Sequence, residues 1–583
     1  MFGTSHRSGR RGRLASRLRS PRDELVPLPC LGRKAWATRA ALIAATAIAL
    51  TGVTFLCAPA VPQRVGEIAS SDLRARVAFA VVNEAQTNRE CEQAVESGRA
   101  GSVAEARRLV PPIIEKFPMG TLLLKRGEPI NDIQLSLLRE EERAEQQSKS
   151  TADLLRRHAA HFAIHLLLCA VVALYIIRCQ TALTQSLPRM LTMSVQAVAT
   201  VGLALLLARS PWHAETVPLT VTAMVFALAF NPPFALLMSF SLGLVCTVAM
   251  GTGVDRLLVH MGGLATVVLI LRDVRTRSRL VQVSAVGGLA SAAMAVAAGL
   301  AGEQTLRWIG LDVVRALLWA LLAGFILTGI LPSIERLYGF VTNVSLLELA
   351  DTGHPLLQEL VRRAPGTYTH SMTMAALGES AAEAVGANAL LTRVGCYYHD
   401  IGKMLKPQYF IENQSNENRH DRLEPALSTL IIIGHVKDGV ALAEQHRLPH
   451  TVVEFIQQHH GTTLVEYFYR EALRLQHEND RGSYELEYAF RYPGPKPQNR
   501  EIGIVMLADA VESASRALSA PTPNSLRKLV HDLIMKRLLD GQFDDSGLTL
   551  TELQKIEHSL CKSVISLYHS RISYPADIDR AAA

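Results

Sequence analysis

The sequence predicts a mainly α-helical protein with an N-terminal anchor helix, a small mixed extracytoplasmic domain, a seven-helix membrane bundle and an all-α cytoplasmic domain. Three observations carry this prediction. The mean hydropathy of the 583 residues is +0.17 and only 19% of them are charged, which indicates a membrane protein. Long apolar runs recur before residue 335. After that point apolar residues recur mainly at helical spacing, with few alternating runs.

A basic segment over residues 1–39 is expected to be cytoplasmic. Residues 1–34 contain nine Lys or Arg but only two acidic residues, Asp23 and Glu24. The apolar run over 40–61 is long enough to cross a bilayer and exceeds the apolar core of a signal peptide, and no clean cleavage site follows it. We therefore predict an uncleaved transmembrane anchor over 40–61.

The polar stretch over residues 62–157 is the predicted extracytoplasmic domain of sensory type. Residues 65–110 are predicted to be helical, and residues 117–125, which include Gly120, to form a small hairpin. Residues 140–157 read as a charged helix that leads into the membrane. A sensor for an unknown extracytoplasmic ligand and a plain spacer both remain open for this domain.

Seven further apolar runs make residues 158–334 the predicted transmembrane bundle. They lie at about 158–177, 190–208, 217–229, 233–250, 257–271, 280–302 and 316–334. Arg178 and Arg189 flank one short loop, and another loop contains Arg272, Arg275, Arg277 and Arg279. With eight crossings in total and the N-terminus inside, both loops lie on the cytoplasmic side, as positively charged loops prefer. The chain then returns to the cytoplasm after residue 334.

Three histidines, His158, His161 and His165, share one face of the second span. We favour packing within the bundle over a buried metal site for them. The eight cysteines are scattered and form no Cys-x-x-Cys pair, which argues against a zinc ribbon and against a dense disulfide framework.

Residues 335–365 are predicted as a coupling helix, because residues 346–363 have an amphipathic pattern. Residues 366–575 then form the predicted helical cytoplasmic domain. This domain contains histidines and aspartates of metal-ligand type, namely His370, His399, Asp400, His435, His459, His460 and Asp509. A carboxylate can bridge two metal ions whereas an imidazole ordinarily binds one, so this mixed set suits a two-metal hydrolytic site.

Several of these residues stand in longer motifs. They include Ala-Pro-Gly-Thr-Tyr-Thr-His-Ser at 364–371, Tyr-Tyr-His-Asp-Ile-Gly-Lys-Met at 397–404 and Tyr-Phe-Ile-Glu-Asn-Gln at 409–414. With them, the chain resembles the seven-transmembrane HD family, whose characterised members are bacterial cyclic di-AMP phosphodiesterases. The resemblance is strong from about residue 340 onward, weak over 62–157, and extends to Tyr-His-Ser-Arg-Ile-Ser-Tyr-Pro at 568–575. It implies that the cytoplasmic domain is an HD phosphohydrolase domain.

The resemblance also implies roles for the ligands. One metal ion would be held by His370, His399, Asp400 and Asp509, and Asp400 would bridge to a second ion on His435, His459 and His460. The two divalent ions would be iron or manganese, and mixed His/Asp ligation independently argues against an all-oxygen magnesium site. Two such ions neutralise a phosphodiester and acidify a water, so Asp400 counts as a catalytic residue.

Four further residues are predicted to contact substrate: Lys403, Arg516, Tyr397 and Asn413. Lys403 lies four residues after His399, which on a continuous helix places it on the ligand face, where its ammonium would contact a phosphate and take part in catalysis. Arg516 lies two turns after Asp509. For Lys403 and Arg516, the alternative is that each lies on a solvent-exposed helix face and does not contact the substrate. Core packing competes with adenine stacking for Tyr397, and loop fixation competes with pocket lining for Asn413.

The sequence therefore predicts a multi-pass protein of the bacterial inner membrane whose cytoplasmic domain hydrolyses cyclic di-AMP to the linear dinucleotide. Its expected partners are the cyclic dinucleotide, the lipid bilayer and an unknown extracytoplasmic ligand, without nucleic acid; a homo-oligomer remains open. One alternative is a phosphohydrolase for cyclic di-GMP or a guanosine alarmone, and another is a non-catalytic nucleotide-binding receptor.

Overall fold

The computed structural model describes residues 31–271, 274–414, 417–478, 486–519 and 521–569. The basic N-terminus is thus described only from residue 31, and Arg272 and the predicted motif after residue 569 lie outside the described residues. The chain divides into two compact units, one reaching Tyr338 and the other starting at Gly339.

The first unit contains the membrane helices and a small domain inserted after the first of them. Its elements are α1 (Arg33–Cys57), β1 (Leu73–Arg74), β2 (Phe79–Val82), α2 (Glu84–Glu96), α3 (Val103–Leu109), β3 (Ile114–Phe117), β4 (Leu122–Leu124), α4 (Asp132–Ser148), α5 (Thr151–Cys179), α6 (Thr181–Gln185), α7 (Leu187–Leu207), α8 (Thr216–Ala229), α9 (Pro232–Met250), α10 (Val254–Ile270), α11 (Arg277–Ala301) and α12 (Leu306–Tyr338).

The mainly helical prediction is confirmed, and each of the eight predicted spans coincides with a helix of this unit. By length and composition, α1, α5, α7, α9, α11 and α12 can each cross a membrane. The short apolar helix α8 has 14 residues, and α10, which corresponds to the run over 257–271, has 17. The chain is therefore a multi-pass membrane protein.

Small residues let α10, α11 and α12 pack closely. A side chain at Gly263 of α10 would collide with Ser291 of α11, and one at Gly288 of α11 would collide with Ala320 of α12. Such small-residue contacts drive helix association in lipid, because van der Waals packing replaces the hydrophobic effect there. The predicted packing role of the histidines fits as well, since His165 Nδ1 lies 2.9 Å from Thr51 Oγ1 of α1.

The small domain is mixed, as predicted, but its details differ from the expectation. Strand β2 pairs antiparallel with β3, and β1 pairs antiparallel with β4. The hairpin expected over 117–125 is therefore wrong, because β3 and β4 each pair with an earlier strand and not with each other. The all-helical expectation for 65–110 is also wrong over its first part, which supplies β1 and β2. Phe79 and Phe117 stack at 5.0 Å between ring centroids and close the small core.

The second unit is all-helical apart from one isolated bridge within the described residues. Its helices are α13 (Asn343–Leu349), α14 (Pro355–Arg363), α15 (Pro365–Val385), α16 (Ala389–Tyr398), α17 (Pro425–Gln445), α18 (His450–Gln458), α19 (Glu466–Glu478), α20 (Leu486–Ala489), α21 (Arg500–Arg516), α22 (Pro523–Leu539) and α23 (Leu550–His569). Helix α17 is apolar and long enough to cross a membrane, but it belongs to this unit and buries His435 in it.

The single coupling helix predicted within 335–365 is wrong, since α12 continues to Tyr338 and two further helices, separated by a turn, follow it. Helix α13 ends at Leu349, and the backbone N–H of Gly353 donates to Asp351 Oδ1 in the turn. His354 then caps α14 by accepting from the Leu356 N–H. Pro355 at the first helical position favours a new helix start there, because it lacks the N–H that a continuing helix needs.

Candidate metal centre

The His399–Asp400 pair lies where a helix stops. The backbone N–H of His399 still donates to Gly395 O, but Asp400 leaves the helical region with φ −113° and ψ 16°. Ile401–Leu405 then forms a 3-10 turn. The expectation that Lys403 lies one turn beyond His399 on a continuous α-helix is therefore wrong. The 3-10 turn instead brings Lys403 Nζ to 2.7 Å from Asp400 Oδ2.

Two glycines permit the close packing around this turn. A side chain at Gly402 would collide with the carbonyl of His435 on α17, so the absence of a side chain lets the turn approach that helix. A side chain at Gly366 would likewise collide with the carbonyl of Glu412. The turn after Asp400 is thereby fixed against α17, and the loop that contains Glu412 is fixed against the start of α15.

The seven predicted ligands lie on five segments, and the structure brings six of them into two groups, with Asp509 Oδ1 3.2 Å from His370 Nε2. His370 lies on α15, the His399–Asp400 pair at the end of α16, His435 on α17, the His459–His460 pair at the end of α18, and Asp509 on α21. Two groups have ligand atoms within 4.8 Å of one another, and they share Asp400: one adds His435, His459 and His460, and the other adds His370 and His399.

Four of these histidines use Nδ1 for a hydrogen bond to the protein, which leaves Nε2 for the centre. The Nδ1 partners are Cys396 O at 2.8 Å for His399, Ile432 O at 2.5 Å for His435, Phe455 O and Ile456 O at 3.0 Å for His459, and Glu512 Oε2 at 2.6 Å for His370. Since a carbonyl or carboxylate only accepts, Nδ1 carries the proton. Metal-binding histidines ordinarily have this arrangement.

Asp400 lies between the two groups with one oxygen toward each. Its Oδ2 is 3.1 Å from His399 Nε2, whereas its Oδ1 is 3.2 Å from His435 Nε2 and 3.6 Å from His459 Nε2. Asp400 Oδ1 and His399 Nε2 are buried and, despite these close neighbours, make no hydrogen bond within the described part of the chain. Buried polar atoms ordinarily have partners. Buried atoms of ligand type that converge and make no hydrogen bonds are therefore suited to bind divalent cations.

The electrostatics keep both carboxylates ionised. Burial raises the pKa of Asp400, but His399 and Lys403 hold that pKa well below its ordinary value. Burial opposes ionisation of Asp509 as well, yet its hydrogen bond with His370 and the charge of that imidazole lower its pKa far more. In turn, Asp509 and Glu512 overcome the effect of burial and raise the pKa of His370 to about 10. Ionised carboxylates are the form that binds a metal.

Lys403 and Asn413, both predicted to contact substrate, have protein partners. Lys403 Nζ pairs with Asp400 Oδ2 and, at 2.9 Å, with Glu412 Oε1. Although burial lowers the pKa of Lys403, these two carboxylates raise it above its ordinary value. Asn413 Oδ1 accepts from the N–H groups of Gly366 and Thr367 at 2.9 and 3.3 Å. Its amide therefore holds the first turn of α15, which carries His370.

Arg516 and Tyr397 also point to protein partners. Arg516 Nε donates to Glu512 Oε1 at 2.6 Å, so Arg516 reaches His370 through Glu512. The hydroxyl of Tyr397 accepts from Arg393 Nε at 2.9 Å, and only 6% of the tyrosine is exposed. The substrate contacts of all four residues remain predictions.

Three residues around the centre were missed by the sequence reasoning. Glu512 lies three residues after Asp509, a spacing that puts both on one helix face and gives a usable signal. Tyr492 stacks on His460 with 4.2 Å between ring centroids. Burial lowers the pKa of Arg537, and the charge of Asp509 partly opposes that effect. Neither Tyr492 nor Arg537 lies near a ligand in sequence, so only the fold reveals them.

Comparisons with known proteins match both units. A family model described as a 7TM receptor with intracellular HD hydrolase matches residues 157–342, and the HD domain model matches residues 367–514. The matched HD residues contain His370, the His399–Asp400 pair, His435, the His459–His460 pair and Asp509. Together the two models match more than half of the chain.

Curated relatives include two proteins named cyclic-di-AMP phosphodiesterase PgpH. The protein of Bacillus subtilis (strain 168) is 39% identical over 370 residues, which are 62% of this chain and 51% of the relative. The protein of Listeria monocytogenes serotype 1/2a (strain 10403S) is 41% identical over 320 residues, 54% of this chain and 44% of the relative. The chain thus spans about half the length of these relatives.

A solved structure is also similar to part of the chain. It is the HD domain of L. monocytogenes phosphodiesterase PgpH in complex with cyclic-di-AMP, at 44% identity. The similarity covers 38% of this chain and 100% of that chain, with a TM-score of 0.35.

Proposed function

The chain belongs to the seven-transmembrane HD family, and on that premise we propose that it is a membrane-bound, metal-dependent phosphodiesterase that hydrolyses cyclic di-AMP to linear pApA. The observation that carries the proposal is Asp400, whose two oxygens face two histidine groups. A carboxylate shared between two such groups suits a dinuclear hydrolytic site.

The names of two relatives support cyclic di-AMP as the substrate. Both are named cyclic-di-AMP phosphodiesterases and are 39% and 41% identical over at least 320 residues. The alternative functions are hydrolysis of cyclic di-GMP, hydrolysis of a guanosine alarmone, and nucleotide binding without hydrolysis. Two buried ligand groups favour catalysis over mere binding, because a binding module has no need of a water-activating centre.

Two divalent ions, iron or manganese, would supply Lewis-acid charge neutralisation and an acidified water at this centre. His370, His399, Asp400 and Asp509 would hold one ion, and Asp400 with His435, His459 and His460 the other. The surrounding protein prepares these ligands for metal binding, since backbone carbonyls and Glu512 orient the imidazoles and nearby cations keep the carboxylates ionised.

We propose that Lys403, Arg516, Tyr397 and Asn413 support substrate binding, with different roles. Lys403 is adjacent to Asp400 and would add positive charge close to a reacting phosphate. Arg516, 44% exposed at its side chain, retains donors for a second phosphate. Tyr397 and Asn413 would have to leave their present partners to touch the nucleotide, so their contribution is mainly to position α16 and α15.

Purified full-length protein in detergent tests the proposal. It is incubated with cyclic di-AMP, cyclic di-GMP and a guanosine tetraphosphate alarmone, after chelation and after reloading with Mn²⁺ or Fe²⁺. We expect metal-dependent release of pApA from cyclic di-AMP and at least tenfold lower efficiency with the other nucleotides. Preferred hydrolysis of another nucleotide would reassign the substrate, and tight binding without any product would support a receptor. Activity that survives chelation would contradict a metal site.

For the membrane topology, we propose that the first unit lies in the bacterial inner membrane, with residues 62–157 outside and residues 366–575 in the cytoplasm. The domain boundaries would be those of the sequence analysis, with two helices in the coupling segment. A reporter that is active only outside the cytoplasm should work when fused near residue 100 and fail when fused after residue 340. The reverse pattern would invert the orientation.

A further inference from the structure

The first unit contains a cavity of about 710 Å³ that the proposed function does not use. It lies where the segment after the anchor helix, around Arg64–Leu73, meets the ends of α8, α10, α11 and α12. Its volume is in the range of small-molecule sites. Its wall combines apolar groups, such as Met294, Ala298 and Ile309, with buried charged groups.

Six of the seven Arg, Asp and Glu side chains on the wall form a charge-balanced network. Arg64 is 9% exposed and pairs with Glu215 and Asp312, each at 3.3 Å. Arg315 pairs with the same Asp312 oxygen at 3.4 Å. Arg256 is more loosely held, with Glu67 Oε1 at 3.8 Å. Within this network three guanidinium groups face three carboxylates, while the exposed Asp255 lines the cavity outside the network. A ligand with a net charge would therefore leave one charge of the network without compensation.

Several polar atoms on the wall make no hydrogen bond within the described residues. They are Glu215 Oε2, both ring nitrogens of His260, and Trp319 Nε1. Glu215 and His260 are each 4% exposed, and both line the cavity. Burial of polar atoms without hydrogen-bond partners destabilises the folded protein. A carboxylate oxygen and an imidazole nitrogen together are acceptors for an ammonium group.

We propose that this cavity binds a small zwitterion with an apolar body. Its ammonium group donates to Glu215 Oε2 and to a nitrogen of His260, and its anionic group pairs with Arg256, whose only close carboxylate within the described residues is 3.8 Å away. The apolar body lies against Met294 and Ile309. A zwitterion satisfies the unpartnered atoms and leaves the charge of the network unchanged. This site is separate from the metal centre and does not depend on hydrolytic activity.

Two sources offer this chemistry: a free amino acid or short peptide, and the ethanolamine headgroup of a phospholipid. Both combine an ammonium with an anionic group. The two sources differ in their access to the cavity, since the first comes from solution and the second from the bilayer. The experiment therefore varies the dissolved probe and the lipid independently.

The test uses full-length protein in phosphatidylglycerol nanodiscs and isothermal titration with L-alanine, L-leucine and leucyl-leucine. 3-Methylbutylamine and 4-methylpentanoate, which each keep one charge of leucine, are the matched probes. A second set of nanodiscs contains phosphatidylethanolamine. The variants are Arg256→Gln and His260→Gln, and the control is Arg307→Gln, an exposed arginine of α12 outside the cavity. Glu215→Gln is less informative, because it leaves the buried Arg64 short of a partner and the chain could fail to fold.

We expect at least one dissolved zwitterion to bind tenfold or more tightly than either single-charge probe. Arg256→Gln and His260→Gln should each weaken it at least tenfold, and Arg307→Gln should not. If the headgroup is the occupant, phosphatidylethanolamine should raise the Tm of wild type and control but not of the two variants. The proposal is overturned if single-charge probes bind equally well, if the variants bind like wild type, or if neither source has an effect. Cyclic di-AMP hydrolysis in the same samples separates a failure here from a failure of the proposed function.

Discussion

Replacement of Glu512 should weaken metal binding although Glu512 is not itself a ligand. Its Oε2 accepts from His370 Nδ1 at 2.6 Å, and its Oε1 accepts from Arg516 Nε at 2.6 Å. Only 2% of Glu512 is exposed, so water cannot readily replace it. Glu512 therefore holds the His370 ring with Nε2 toward Asp509 and makes that imidazole a stronger donor to a cation.

The size of the effect follows from the type of contact. A hydrogen bond to a charged group contributes about 1.5–3 kcal/mol, which corresponds to roughly 10- to 150-fold in an equilibrium constant. Loss of an outer partner of a metal-bound histidine typically costs about 10- to 100-fold in affinity. Glu512→Gln keeps an acceptor for Nδ1 but loses the charge, so we expect about tenfold weaker binding. Glu512→Ala loses both and should approach a hundredfold.

Competition with a fluorescent chelator measures the affinity of each variant for Mn²⁺, and turnover is measured at saturating metal. Glu501→Gln is the matched control, since Glu501 lies on the first turn of the same helix and accepts from the Asn388 N–H, away from the ligands. The control should bind metal like wild type. If Glu512→Ala bound Mn²⁺ with unchanged affinity, the positioning argument would be refuted. If it lost only turnover, Glu512 would act on the reaction and not on the metal.

The other predictions concern the same centre. Asp400→Ala should abolish hydrolysis and lower the metal occupancy of both sites, whereas His435→Ala should mainly empty one site; metal analysis measures both. Retention of two ions by Asp400→Ala would contradict the bridging role of Asp400. Lys403→Ala should lower the Tm of chelated protein, because it leaves Asp400 and Glu412 buried without their cation, at a cost of about 3–5 kcal/mol; an unchanged Tm would argue against a structural pair. Metal affinity should rise with pH by up to about tenfold per pH unit below pH 10, because His370, whose pKa is raised to about 10, must lose a proton before it binds a metal. A pH-independent affinity between pH 6 and 9 would exclude this competition. Arg537→Gln should raise KM for the nucleotide without loss of metal, whereas unchanged kinetics would assign Arg537 to the scaffold.

Much of the fold was predictable because lipid imposes a simple rule. A segment that crosses a bilayer must be apolar and must satisfy its own backbone, so the eight runs found before residue 335 had to be helices. No comparable rule governs the small outer domain. Its strands have two to four residues each, and they pair in the order β1–β4 and β2–β3. Pairing of that kind depends on contacts between residues about 30 to 50 apart in sequence, which local patterns do not contain.

The candidate ligands were predictable for a different reason. Histidine and aspartate are chemically distinctive, and His399–Asp400 and His459–His460 are adjacent pairs that stand out in the sequence. The break between Tyr398 and Ile401 was not predictable from periodicity, because the apolar pattern continues through it. Only the backbone of Asp400 shows that the helix has ended, and that ending changes which neighbours Lys403 can reach.

Substrate contacts are harder to predict than ligands, since a contact requires a group that is free of other partners. Lys403, Asn413 and Tyr397 each have a hydrogen-bond partner in the protein, which no spacing rule reveals. Arg537 is in the opposite situation: its Nε is buried without a hydrogen bond in the described part of the chain, and burial lowers its pKa although Asp509 opposes that effect. An unsatisfied guanidinium nitrogen beside a metal ligand is better suited to receive a phosphate than an ammonium already paired with two carboxylates. The phosphate contacts of the site are therefore to be sought first at Arg537 and second at Lys403.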